Sequence, residues 1–196
     1  MQHNKNPEGV ILLAQSIERF RPTYQARSVA SIDFEALREQ GLSKLLLDVD
    51  GTTSRICSMI VPEEIAQNLR VAKDNGWEIC LTSNAQLWFM ARRIEKLAEI
   101  LECQYVAHYW PHPTKPNPKA LEIAMSEMDG ATLDNTLMVG DQFGTDILGA
   151  NHLGIPSIWV PSIEPIPLWK RITLEVINQR RLQALGEITE APTRVY

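Results

Sequence analysis

Two aspartates one residue apart, Asp48 and Asp50, open the run Asp48-Val49-Asp50-Gly51-Thr52-Thr53, directly behind the apolar stretch Leu45-Leu46-Leu47. A second acidic pair, Asp141 and Asp146, brackets Gln142-Phe143-Gly144-Thr145. Between the pairs lie Ser83-Asn84 and Lys115-Pro116. Two ionised carboxylates about 4 Å apart repel by roughly 4 kcal/mol at an effective dielectric near 20. Three or four of them therefore converge only around a cation, or by giving up part of their charge. Every candidate ligand is an oxygen, and no His or Cys belongs to the set, which suits Mg²⁺. A carboxylate beside such an ion and a lysine can attack phosphorus and form an aspartyl-phosphate. A second acid can protonate the leaving oxygen and later activate water. Each piece alone has a bland reading: D-x-D is common, Ser-Asn is a turn, Lys-Pro is a surface loop, and Gly-Asp with a later Asp is a helix cap. Their joint occurrence, in order, is what carries the chemistry.

That order has meaning because of the elements between the pieces. Strands are expected over residues 43–48, 77–83, 104–109, 136–141 and 155–160, and helices over 34–40, 61–74, 85–101, 117–128 and 146–153. Pro62 with two following Glu marks one helix start, and Gly76 and Gly130 mark helix ends. A stripe of Val10, Leu13, Ala14, Ile17 and Phe20 predicts an N-terminal helix, and 168–185 an amphipathic C-terminal one. Strand-helix alternation implies an α/β fold, a Rossmann-like parallel sheet of about five strands with helices on both faces. In such sheets the active site lies beyond the carboxyl ends of the strands. Asp48/Asp50, Ser83, Lys115 and Asp141/Asp146 each fall just past a different strand.

Composition narrows the function classes. The 196 residues carry 19 Lys+Arg against 24 Asp+Glu, a formal charge of −5, so no nucleic-acid partner is expected. No apolar run approaches the roughly 18 residues of a membrane span, and Val10–Ala14 is too short for a secretory segment. Cys57, Cys80 and Cys103 form no C-x-x-C pair, which points to a reduced, cytoplasmic protein with cysteines as core fillers.

The motif set resembles the haloacid-dehalogenase (HAD) phosphatase superfamily, and more narrowly its subclass IIIA branch of YqeG-like and phosphatidylglycerophosphatase-like proteins. Asp48-Val-Asp-Gly-Thr-Thr looks like the first motif, Ser83 the second, Lys115 the third and Gly140-Asp141 with Asp146 the fourth. Gly51 departs from that branch, which often has Asn there. The resemblance spans about residues 20–185. It implies Asp48 as nucleophile and Mg²⁺ ligand, and Asp50 as general acid/base and ligand through its main-chain oxygen. It further implies Asp141 and Asp146 as the other metal positions. Lys115 would neutralise charge, with Lys119 as the alternative, and Thr52, Ser83, Asn84 and Lys115 would meet phosphate oxygens. Residues 1–30 read as an arm, 31–186 as the phosphatase domain and 187–196 as a flexible tail.

Spacing bears on the substrate. Asp50 and Ser83 are 33 residues apart, and Ser83 and Lys115 are 32 apart; one helix and one strand fill each interval. No large cap domain fits, so the site is expected to be open to a bulky or membrane-held substrate. The branch resemblance implies a lipid phosphate such as phosphatidylglycerophosphate, with peripheral membrane contact through residues 10–20 or through Trp169, Lys170 and Arg171. Packing of either segment on the protein body is the alternative, and a lid borrowed by homo-oligomerisation is a further option. Two other functions stay open: a phosphatase for a soluble phosphometabolite or phosphoprotein, and a non-catalytic Mg²⁺-binding or phosphorylatable module. Asp50 speaks against the last, since a mere phosphate acceptor needs no acid/base partner. His108, His112 and Arg55 are weaker candidates for substrate contact.

Overall fold

The computed structural model describes residues 16–85, 88–164 and 175–194. In chain order the elements are β1 (Tyr24–Gln25), a 3₁₀ turn (Val29–Ser31), α1 (Phe34–Glu39), β2 (Lys44–Leu47), α2 (Glu63–Asp74), β3 (Glu78–Asn84) and α3 (Trp88–Leu101). They continue with β4 (Gln104–His108), α4 (Pro118–Ser126), β5 (Thr136–Gly140), a π turn (Phe143–Ile147), α5 (Leu148–Leu153), β6 (Ser157–Trp159) and α6 (Val176–Leu185). The strands form one sheet in the order β1-β6-β5-β2-β3-β4, with every pair parallel.

Strand periodicity splits the core between the two faces of the sheet. Leu45 pairs with Ile79 and Leu137, and Leu47 with Leu81 and Val139. All six point into the cluster formed with Phe34 and Leu37 of α1, Ile65 and Leu69 of α2, and Ile94 and Leu97 of α3. Leu46, between them, pairs with Cys80 and Met138 and faces Leu121 and Met125 of α4 and Ala150 of α5. Central strands buried on both faces explain why the sequence shows continuous apolar runs there. Helix starts follow local chemistry: Asp33 caps α1 by accepting from Glu35 N and Ala36 N, and Asn117 caps α4 with Pro118 at its first position.

The expected parallel sheet of about five strands is found, with a sixth added because Tyr24–Gln25 pairs with β6; two residues are too few to show a period. Three other expectations change. Residues 24–30, expected in a separate arm, therefore belong to the domain. The tail expected over 187–196 is packed over its described part: Ile188 and Ala191 are buried, Gln25 N donates to Thr189 O, and Ala191 N donates to Gln25 O. Its apolar residues are too sparse to announce this. The helix expected from Asp146 begins instead as the π turn, whose wider loop is closed by Ile147 N donating to Gln142 O.

Of the stripe at 10–20, Phe20 is buried with Phe143, Ile147, Leu148 and Leu185, and Ile17 packs against them. Its members Val10, Leu13 and Ala14 lie outside the described residues, as do Trp169, Lys170 and Arg171. No described helix is long and apolar enough to cross a membrane.

Candidate active site

The carboxyl ends of β2, β3 and β5 are neighbours, so register alone brings Asp48, Ser83 and Asp141 to one rim. Lys115 reaches the same place from the loop after β4. Its Nζ donates to Asp48 Oδ1 at 2.6 Å, to Asp146 Oδ1 at 2.7 Å and to Thr82 O at 2.8 Å. Carboxylate oxygens of Asp48, Asp141 and Asp146 all lie within 4.8 Å of one another. Thr52 Oγ1 sits between two of these acids, 3.4 Å from Asp48 Oδ2 and 3.3 Å from Asp141 Oδ1. Asp146 is fixed on its other side by Gln142 N, which donates to Oδ2 at 3.0 Å.

Two glycines make this crowding possible. A Cβ at Gly140 would stand 2.4 Å from Asp146 Cγ, and one at Gly51 would stand 2.5 Å from Asp141 Oδ2. Gly51 also turns the chain with φ 96°, a conformation that favours glycine. The departure from Asn at that position is thus matched by the close approach of Asp141.

Charge is concentrated here away from the protein surface. Asp141, Asp146 and Lys115 are at most 3% exposed. Burial pushes the Asp48 carboxyl up to about 7; Lys115 opposes the rise, while Asp146 and Asp50 add to it. Burial likewise raises Asp141 well above the carboxylate range, with Asp48 and Asp146 adding and the Ser162 hydroxyl opposing. Burial works against the Lys115 ammonium too, but Asp146 and Asp48 outweigh it and hold the group protonated. One cation among three buried acids leaves negative charge over. An all-oxygen set of this kind fits a hard divalent ion held by Asp48, Asp141 and Asp146.

Several expected residues stand elsewhere or do something else. The Asp50 carboxylate is outside the cluster: Oδ1 accepts from Cys57 N at 2.7 Å, and Oδ2 is paired with Arg93. Asn84, expected on a phosphate oxygen, clasps the Lys115 main chain, donating to Lys115 O and accepting from Lys115 N, both at 2.9 Å. Ser83 is buried at the end of β3 as expected of a rim residue. Lys119, the alternative lysine, is exposed on α4, and Arg55 and His112 are exposed in loops. Cys57 is exposed rather than a core filler, whereas Cys80 is buried.

Sequence reasoning passed over Arg93, Ser162, Trp159 and Asn178. Ser162 Oγ donates to Asp141 Oδ2, while Trp159 Nε1 and Asn178 Nδ2 donate to Asp141 O at 2.8 and 3.0 Å. The only signal for Arg93 was its place one residue before Ile94, at the flank of the buried Ile94, Leu97, Ala98, Leu101 stripe near the start of α3.

His108 has a partner inside the protein. It is buried at the end of β4 with Nε2 2.9 Å from Thr82 Oγ1. Burial, with Lys115 and His112 adding, pushes its imidazolium down from 6.5 to about 4. The folded state thus refuses a proton that the unfolded chain accepts, so stability is full above pH 6.5 and falls as the pH drops toward 4. In urea titrations the stability difference between wild type and His108→Gln should shrink by roughly 3 kcal/mol across that window. A difference that does not change with pH would count against a neutral buried His108.

The HAD-hydrolase-like family matches residues 113–162, the stretch that carries Lys115, Asp141 and Asp146. The curated protein "Probable phosphatase YqeG" of Bacillus subtilis is 24% identical over 141 residues, covering 72% of this chain and 77% of its own. The chain is thus similar to the HAD-like hydrolases. Among solved structures, the putative HAD-hydrolase YfnB of Bacillus subtilis, bound to magnesium, is 14% identical with a TM-score of 0.43; the match covers 57% of this chain and only 50% of YfnB. An uncharacterised protein from Corynebacterium glutamicum is 18% identical with a TM-score of 0.47, over 76% of this chain and all of its own. The matched segment carries the lysine and two of the acids, and the third, Asp48, directly follows β2.

Proposed function

We propose that this protein is a Mg²⁺-dependent phosphomonoesterase that works through a phosphorylated Asp48, with a lipid phosphate such as phosphatidylglycerophosphate as its substrate. The observation that carries the reading is the Lys115 ammonium bridging Asp48 and Asp146 beside Asp141, all buried at the strand ends. Mg²⁺ held by Asp48, Asp141 and Asp146, with the main-chain oxygen of Asp50 as a fourth donor, would neutralise the phosphoryl oxygens. Asp48 attacks phosphorus in line with the ester oxygen. Lys115 keeps the nucleophile oriented and draws charge from the transferring group. The Thr52 and Ser83 hydroxyls donate to phosphoryl oxygens. Asp50 gives a proton to the leaving oxygen, then takes one from the water that attacks phosphorus and frees Asp48.

The lipid part rests on the rim. Among the described residues no cap domain separates the motifs, and the loops after β2 and β4 expose Ile60 (75%) and Trp110 (86%). Apolar side chains beside a phosphate site suit a substrate whose remainder lies in a membrane surface. The test is phosphate release from phosphatidylglycerophosphate in mixed micelles and from soluble glycerol phosphates, with Mg²⁺ and with EDTA. Release should need Mg²⁺ and run at least about tenfold faster on the micelles. Equal rates would remove the lipid reading and leave the soluble-substrate one; no release from any monoester would remove the phosphatase reading.

A further inference from the structure

The Asp50 carboxylate is held rather than left free to rotate. Oδ1 accepts from the Cys57 main-chain N–H, and Oδ2 from Arg93 Nη2. Arg93 Nη1 donates to Ser58 O at 2.8 Å. One guanidinium therefore ties the acid to the loop that returns from it. Within that loop Gly51 N donates to Ser54 O, and Ser58 N to Arg55 O, so it is a closed turn. Both side chains of the pair are largely out of water, 13% and 14% exposed. Arg93 itself stands on a firm base: the next residue, Ile94, and Leu97 one turn on are buried against the sheet.

A proton-transfer group must stay within hydrogen-bond reach of the reacting oxygen. A short aspartate does not do so unaided. The rigid guanidinium fork keeps its own proton and fixes direction as well as charge. We propose that Arg93 is the positioning residue for Asp50, aiming the carboxyl that serves the leaving oxygen; this rests on the phosphomonoesterase reading above. In the first step the Asp48–phosphorus bond forms and the ester P–O bond breaks, with the leaving oxygen taking the Asp50 proton. In the second, Asp50 takes a proton from water, the water oxygen bonds to phosphorus and the bond to Asp48 breaks. Arg93 touches neither phosphorus nor the leaving group.

The test compares glycerol phosphate, whose leaving alkoxide needs a proton, with p-nitrophenyl phosphate, whose leaving phenolate does not. The quantity is kcat/KM, which reports only the steps through departure of the leaving group. For Arg93→Met it should fall roughly 10- to 100-fold on glycerol phosphate and less than about 3-fold on p-nitrophenyl phosphate. Arg93→Lys should recover part of the loss. In an Asp50→Asn background Arg93→Met should cost nothing further. An equal fall on both substrates, or additive losses in the double variant, would overturn the proposal, since a purely structural role predicts both. Amide hydrogen exchange gives a readout independent of turnover: Cys57 N–H should exchange faster in Arg93→Lys than in wild type. Unchanged exchange would show that Arg93 does not hold Asp50. Wild type releasing no phosphate from either substrate, with faster Cys57 exchange in the variant, would instead locate the failure in the phosphatase reading.

Discussion

Asp48→Asn should abolish phosphate release, by about 10³-fold or more, while leaving the protein folded. The substitution keeps the side chain's shape but replaces a carboxylate oxygen with an NH2 group, which carries no charge and does not attack phosphorus. Burial already pushes the Asp48 carboxyl up to about 7, so a neutral amide there asks little of the surroundings. Lys115 keeps Asp146 as its ionic partner at 2.7 Å. Phosphate release and a urea melt, run on the same preparation, give the two halves of the result. Hydroxylamine-sensitive labelling by phosphate monoester should appear in wild type and vanish in the variant. Release that survives the substitution would remove the covalent mechanism and leave water as the attacking group.

Lys115→Met should cost about 3–5 kcal/mol of stability as well as activity. It removes the one cation that contacts Asp48 and Asp146 among the described residues and leaves those acids, with Asp141, buried and uncompensated. The sign of the pH dependence follows from the raised carboxyls. Asp48 and Asp141 titrate in the folded state above their unfolded values, so the stability they contribute is present at low pH and is lost as the pH rises through the folded values. Without Lys115 that loss deepens, and the gap between variant and wild type should be wider at pH 8 than at pH 5. Urea titrations at both pH values measure it. A gap below about 1 kcal/mol at pH 8, or one equal at both pH values, would mean that Lys115 does not balance these acids.

What could be read from the sequence divides along a physical line. Asp48, Ser83 and Asp141 were legible because each stands at or just past the end of a strand whose apolar run is unmistakable, and a parallel sheet brings such ends together. Lys115 was legible from its order among the other pieces, and the structure separates it from Lys119 by burial. The role of Asn84 was not legible, because a side-chain amide bonds a phosphate and a peptide group equally well. Arg93 and Ser162 reach the site from flanking segments whose sequence has no period or spacing tied to the acids. Tyr24–Gln25 and residues 187–194 order each other across the whole length of the chain, and pairing at that separation leaves no local trace.

That last pairing decides how the sheet meets other molecules. A bare edge strand offers its N–H and C=O groups as a template for a neighbouring chain. At the β1 margin Gln25 spends both of its groups on Thr189 and Ala191, so the protein's own C-terminal stretch acts as a selvedge there. A chain shortened behind Leu185 would unpick it and turn a finished border into an adhesive one. Of the two outer strands in the described sheet, only β4 is left for strand-to-strand growth.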